Sequence, residues 1–350
     1  MKLSRNEVVV LYQLCRWPLL TDREHAERAG MSPSTFSSIR GRLERRGYFK
    51  RVRVPMMQDL GCEMLVVIYT EFNPAIPLEK RVEATRKSIE IHEELIYSVG
   101  ETNKGFSLSL AGDYTAASRI ADVRTGLFAS MNLLERSFPD EVVFPFSISR
   151  IDRFMEFAPL LASSFGIKTG FETEGVDGVF RPRGKVSLSE TERIVYTGLI
   201  EHPEMNDTQL GEILPVGRHT ISKIRNKMEN SGLIKTLVIP DLKMLGFKVI
   251  CFYRIRYLPK KPIDIHGSEP LPIMDNNTFF IASRKYDTIM LSAYMDYDEA
   301  KMENMRKVQF LKENGFIEGM PVIQEYSVTN LVIIKDLTFG PITRKILLQG

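Results

Sequence analysis

The sequence predicts an α+β protein made by internal duplication: two winged helix-turn-helix domains, each followed by a ferredoxin-like α+β domain. Three observations predict it. First, the stretch from Leu3 to Pro74 recurs without a gap as Leu188 to Pro259; Ser4, Glu7, Pro18, Asp22, Thr35, Ile39, Arg40 and Gly47 return as Ser189, Glu192, Pro203, Asp207, Thr220, Ile224, Arg225 and Gly232. Second, each copy opens with short helical patterns and a turn spaced as in a helix-turn-helix. Third, each then switches to strand-like alternation interrupted by amphipathic stretches, the order of an α+β sandwich.

The elements follow in order. Ser4-x-x-Glu7 and Ser189-x-x-Glu192 are capping boxes that start a first helix, and Trp17-Pro18 and His202-Pro203 end it. A second helix runs from Thr21-Asp22 to Ala29, and Gly30 suits the left-handed position that terminates it. The third opens with Ser32 as cap and Pro33 at the first helical position, where the missing amide costs nothing, and ends at Gly47. Tyr48 to Pro55 alternates as an exit strand. Met64 to Tyr69 has the length of a buried strand, Pro77 to Ile96 reads as a charged helix, Phe106 to Ala111 as a strand, Ala116 to Leu134 as a helix and Val142 to Ile148 as a strand. In the copy, Val249 to Tyr257 and Ile289 to Tyr294 are strands, Asp298 to Glu313 is a helix, and Tyr326 to Thr329 echoes Phe146 to Ser149. Pro259 to Pro272 is too proline-rich for a counterpart of the first charged helix. The predicted divisions are residues 1–55 and 185–240 for the winged helices, 56–168 and 241–350 for the α+β domains, and 169–184 for a linker rich in Gly, Thr and Glu.

Composition sets the frame. Of 350 residues 43% are apolar and 26% charged, the balance of an ordinary globular chain. The absence of a long apolar run predicts no membrane span, and the opening residues predict no signal peptide. Cys15, Cys62 and Cys251 lack paired spacing, which fits a cytoplasmic protein without disulfides or zinc. The net charge of +3 is distributed unevenly. Met1 to Arg53 holds twelve Lys/Arg against five Asp/Glu, whereas Lys185 to Thr236 holds seven of each. The first module is therefore the better match for a phosphate backbone.

On a helical wheel the third helix turns Phe36, Ile39 and Leu43 inward. Ser34, Ser37, Ser38, Gly41 and Arg45 point away, flanked by Thr35 and Arg42. Small side chains let such a face enter a major groove, hydroxyls can meet phosphates or base edges, and arginines can fork onto guanine or phosphate. The copy turns Ile221, Ile224 and Met228 inward and His219, Ser222, Lys223 and Asn226 outward, flanked by Thr220 and Lys227. Lys50 and Arg51, with Arg53, are candidate backbone contacts on the exit strand, although a solvated strand edge has the same look. Arg40 with Glu44 and Arg225 with Glu229 read as intrahelical ion pairs. The five histidines have no metal-ligand spacing, and no phosphate-cradling glycine loop or nucleophile elbow is visible.

Gly47-Tyr48-Phe49-Lys50, Pro55, Leu60-Gly61 and the long strand after them resemble the leucine-responsive regulator (Lrp/AsnC) family, as do Gly232-Leu233-Ile234-Lys235, Pro240 and Leu245-Gly246. The resemblance implies a transcriptional regulator of duplex DNA, an α+β domain of the RAM type that dimerises, and a small-molecule effector such as an amino acid. The expectation is a homodimeric, cytoplasmic regulator without cofactor or enzymatic activity. Siroheme decarboxylases resemble the same family and form the enzymatic alternative. Their histidine-tyrosine element is not evident at His92-Glu93 or His266-Gly267. A sensor or scaffold that has lost DNA binding is the third reading.

Overall fold

The computed structural model describes residues 3–134, 138–167, 180, 184–267 and 271–348. In chain order it contains α1 (Arg5–Arg16), α2 (Asp22–Ala29), α3 (Pro33–Arg45), β1 (Phe49–Pro55), β2 (Met64–Glu71), α4 (Leu78–Ile91), β3 (Leu95–Glu101), β4 (Lys104–Ala111), α5 (Tyr114–Ser130), β5 (Asp140–Pro145), β6 (Ser149–Arg153) and α6 (Ala158–Ser164). There follow α7 (Glu190–Glu201), α8 (Asp207–Ile213), α9 (Arg218–Asn230), β7 (Ile234–Pro240), α10 (Leu242–Leu245), β8 (Val249–Arg256), β9 (Thr278–Arg284), β10 (Asp287–Tyr294), α11 (Tyr297–Glu313), β11 (Val322–Ser327), β12 (Val332–Lys335) and α12 (Gly340–Leu348). The fold is α+β, with winged helix-turn-helix modules and ferredoxin-like units in duplicate. The segment read as a linker, 169–184, lies outside the described residues apart from Phe180 and Gly184.

The compact units do not follow chain order. One gathers Met1–Val52, Arg150–Val179 and Thr236–Thr329; the other gathers Arg53–Ser149, Phe180–Lys235 and Asn330–Gly350. The first unit thus holds α1–α3 together with the later sheet, in the order β11-β8-β10-β9-β6. The second holds α7–α9 together with the earlier sheet, in the order β12-β3-β4-β2-β5. Four strands of each sheet have the ferredoxin-like arrangement, the fourth beside the first, then the third and the second. The fifth strand of each, β6 or β12, comes from the other half of the sequence.

Each sheet carries an apolar centre. In the second unit β2 pairs antiparallel with β4, Val67 opposite Leu108, and with β5, Val67 opposite Val142. All three side chains are buried. In the first unit β10 pairs with β8, Met290 opposite Tyr253, and both lie in a core with Val249, Ile281 and Leu311. The helices α5 and α11 are each seventeen residues long and begin at equivalent caps. The Asp113 carboxylate accepts from the Ala116 N–H at 2.7 Å, and the Asp296 carboxylate accepts from the Glu299 N–H at 2.8 Å.

Expected elements differ at three places. The strand expected over Val142 to Ile148 ends at Pro145, and Phe146–Ile148 form a 3-10 turn. The charged helix reaches only Ile91, and Leu95 to Glu101 form β3 instead of continuing it. This strand is buried on both sides between β4 and β12, so it lacks the alternation that would separate it from a helix. The proline-rich segment after Tyr257 is free of helix over its described residues, as expected, but it leads into β9, a strand the sequence reading passed over.

Candidate functional site

The third helix of each module is held by the same set of contacts. In α3, Phe36 and Leu43 are 0% exposed and Ile39 6%, so the inward stripe is fully committed to the module's core. In α9, Ile221, Ile224 and Met228 occupy the same places. Full burial of one such side chain contributes about 1.5–3 kcal/mol.

Polar clamps repeat as closely as the apolar ones. Glu7 closes the α1 capping box, accepting from the Ser4 N–H at 2.8 Å, and its other carboxylate oxygen takes Arg42 Nε at 3.1 Å. Glu192 does both again, with the Ser189 N–H at 2.9 Å and Lys227 Nζ at 2.5 Å. The Ser4 backbone bond, then burial acting the other way, then Ser4 Oγ and Arg42 leave Glu7 with a net downward shift. For Glu192 the largest downward influence is Lys227 itself. A second clamp joins the short helix to the third. Arg40 meets Asp22 and Arg225 meets Asp207, both at 3.0 Å. The pair read as Arg40 with Glu44 within α3 is longer, 4.0 Å, so the stronger contact runs between helices.

Beyond these clamps, Ser34, Thr35, Ser37, Ser38 and Arg45 are exposed, as are His219, Thr220, Lys223 and Asn226; the clamp residues Arg42 and Lys227 are exposed as well, and Ser222, Lys50 and Arg51 are half-buried. Thr35 Oγ1 lies 2.8 Å from the capping Ser32 Oγ, and Arg45 Nε donates to its own helix at Gly41, 3.1 Å away. Arg53, considered with them as a backbone contact, is buried and donates to the Leu199 carbonyl at 3.2 Å. The exit strands β1 and β7 pair with each other as a two-stranded ribbon.

The modules differ at the turn. Gly30 ends α2 with φ +65°, whereas α8 ends at Leu214 in extended backbone, and Gly217 caps α9 without a side-chain hydrogen bond. The first module also buries a histidine the sequence left unassigned. His25 is 1% exposed and stacks on Phe36 with ring centroids 5.0 Å apart, and neither ring nitrogen has a partner among the described residues. Burial lowers its pKa. A single histidine on a short helix carries no sequence signal for such a role.

No group of three or more potential metal ligands occurs among the described residues. None of their helices is long and apolar enough to cross a membrane.

No family model matches the chain, and no curated protein matches it. Solved structures do. A crystal structure of the siroheme decarboxylase NirDL in co-complex with an iron-uroporphyrin III analogue is 10% identical, with a TM-score of 0.50 over 97% of this chain and 98% of that one. A second NirDL crystal structure has the same identity and coverage and a TM-score of 0.49. The leucine response regulatory protein LrpA of Mycobacterium tuberculosis is 20% identical and covers 40% of this chain and 91% of its own, with a TM-score of 0.30. These findings correct the expectation of a chain without enzymatic activity: the architecture matched from end to end is that of an enzyme, so the fold does not set the chain among regulators. What the chain shares with NirDL is the fold alone, a duplicated winged helix-turn-helix with ferredoxin-like α+β units.

Proposed function

We propose that the protein binds duplex DNA through α3, with α9 as a weaker second reader. The observation that carries this reading is the exposed outer face of α3, with Ser34, Ser37, Ser38 and Arg45 around the small Gly41, on a helix whose opposite stripe is fully buried. The excess of twelve cationic over five acidic residues from Met1 to Arg53 supports it, because phosphate neutralisation supplies most of the affinity of such a protein. Arg45 is the principal contact on α3, with Thr35 and Arg42 flanking and Lys50 and Arg51 reaching the backbone from β1. On α9 the contacts are His219, Thr220, Ser222, Lys223, Asn226 and Lys227. The balanced charge of the second module and its altered turn make it the lesser partner.

Titration of the full chain against a library of duplex fragments at two salt concentrations tests this. Affinity falling with salt, with a log–log slope of roughly −0.9 for each phosphate neutralised, and a preferred fragment are expected. Salt-independent binding, or no preference for any sequence, refutes it. Arg42→Ala with Arg45→Ala weakens binding more than Lys223→Ala with Lys227→Ala; equal losses refute the dominance of α3.

A second reading, tetrapyrrole chemistry in the α+β units, is favoured by the end-to-end likeness to a siroheme decarboxylase. Absorbance titration with siroheme distinguishes the two. A Soret shift with loss of carboxylate groups from the product supports the enzyme, and an unchanged spectrum excludes it.

A further inference from the structure

The helices α5 and α11 start from equivalent aspartate caps, and eleven residues after the cap each buries a cation against its sheet: Arg124, 4% exposed, and Lys307, 7% exposed. The two cations are treated in opposite ways. In the first unit Lys307 Nζ donates to the Asp275 carboxylate and to Tyr294 Oη at 3.0 Å. Tyr294 Oη in turn lies 3.0 Å from Tyr253 Oη, which donates to Asn304 Oδ1 at 2.5 Å, and Asn304 Nδ2 donates to Glu325 at 3.0 Å. The carboxylate that neutralises Lys307 comes from the segment that stands where the other unit has α4.

In the second unit no carboxylate among the described residues pairs with Arg124. Its Nη1 donates to Ser107 Oγ at 2.5 Å, and its Nε is buried without a hydrogen-bond partner among the described residues. Arg81, on the first turn of α4 and 2% exposed, is in the same condition. Its Nη1 donates to the Glu101 carbonyl at 2.9 Å, while Nε and Nη2 have no hydrogen-bond partner among the described residues. The rings of Phe72 and Phe128 lie 5.2 Å and 5.5 Å from the two guanidiniums, a partial compensation. Both arginines line one cleft together with Thr70, Thr85 and Ser98, and its enclosed part has room for about one water molecule. Burial lowers Arg124 to about 10, so it stays charged at neutral pH. Two buried cations with no paired carboxylate among the described residues, Glu79 acting on Arg81 only through its charge, are costly unless an anion joins them.

We propose that this cleft binds the carboxylate group of a small molecule, held by Arg81 and Arg124 with hydroxyl donors from Thr70, Thr85 and Ser98. The ligand supplies in the second unit what Asp275 supplies in the first. The enclosed space, about one water molecule in size, takes one carboxylate oxygen and leaves the rest of the ligand in the open part of the cleft. The inference is independent of DNA binding, because neither arginine belongs to a helix-turn-helix module.

The test uses the full chain in chloride buffer at fixed ionic strength, with sodium acetate as the probe and inorganic phosphate as the competing oxyanion. Unfolding temperature and titration calorimetry are the readouts. Acetate is expected to raise the unfolding temperature saturably, and Arg124→Met is expected to bind acetate at least tenfold more weakly. That variant should also unfold no lower than the wild type in acetate-free buffer, because it removes an uncompensated buried charge; a purely structural arginine predicts the reverse. Should Arg124→Met not fold, Arg81→Met gives the same readouts. Lys307→Met lowers stability yet keeps the acetate response. Absence of an acetate response in the wild type, its persistence in the arginine variants, or a preference for phosphate over acetate overturns the proposal.

Discussion

Asp275→Asn isolates the charge that the first unit keeps beside its buried lysine. The substitution preserves shape, removes the negative charge and leaves one acceptor oxygen where the carboxylate takes both Lys307 Nζ and Thr278 Oγ1. Lys307 is 7% exposed, and its remaining acceptor is the Tyr294 hydroxyl. Burial alone would pull the Lys307 ammonium down, but Tyr294 and then Asp275 outweigh it and hold it above the ordinary lysine value. Removing one partner of a buried pair costs about 3–5 kcal/mol. Asp275 is one-fifth exposed at its side chain and the phenol remains, so the lower end, about 3 kcal/mol, applies. With a urea dependence of about 1–3 kcal/mol per molar, the unfolding midpoint moves down by about 1–3 M. Urea unfolding followed by circular dichroism and tyrosine fluorescence measures it. A raised folded-state lysine pKa contributes stability below the unfolded value near 10.4, and this is lost as pH rises through the folded value. The difference between wild type and variant should therefore narrow only in strong alkali. A loss under about 1 kcal/mol at pH 7 would falsify the claim that Asp275 neutralises Lys307.

Three further outcomes can be measured. Gly41→Ala adds a Cβ that meets nothing within 4 Å, so it should stabilise α3 by about 0.5–1 kcal/mol, and under the proposed DNA-binding reading it should weaken that binding by adding bulk to the outer face; unchanged DNA affinity would remove the reason given for that glycine. His25 is lowered by burial, so the unfolded chain takes up its proton first as pH falls below about 6.5, and stability declines from there until the folded-state value is reached. His25→Phe should flatten thermal stability between pH 7 and pH 5, leaving the slope from His92, whose pKa burial also lowers; an unaltered profile would exclude His25 as a source. In Gly105→Ala the new Cβ would lie 2.7 Å from the Val99 carbonyl oxygen, forcing β3 and β4 apart at the edge of the arginine cleft; a loss of about 1–3 kcal/mol is expected, and a variant of wild-type stability would show that the strands yield freely.

Most of the fold is legible in the residues because the signals are local. Ser4 with Glu7, Thr21 with Glu24, and Ser189 with Glu192 specify helix starts within four residues, and the structure contains each capping box. The inward stripe of Phe36, Ile39 and Leu43 follows from helical period alone. What the sequence does not disclose depends on distant partners. The residues of β6 and β12 are short runs whose pairing with β9 and β3 has no local signature. The cleft was hidden for the same reason. Arg81 and Arg124 read as ordinary cations on predicted helices, and only the packing of α4 and α5 on one sheet reveals that neither is paired with a carboxylate among the described residues. Arg42 and Lys227 were legible as cations on the third helices, but their ion pairs with Glu7 and Glu192 span thirty-five residues.

The interleaving of the two units bears on how the chain is made. The first winged helix cannot join its own sheet until Thr236–Thr329 has been synthesised, and the earlier sheet waits for β12 to supply its edge. Synthesis from the N-terminus therefore leaves α1–α3 and the β2–β5 sheet unfinished while more than half of the chain is still to come. Contacts at such sequence separation slow folding, and the open edge of β3 is in the meantime a template for stray pairing. Cutting the chain between its two halves should yield not two independent domains but two aggregation-prone fragments that recover only when mixed.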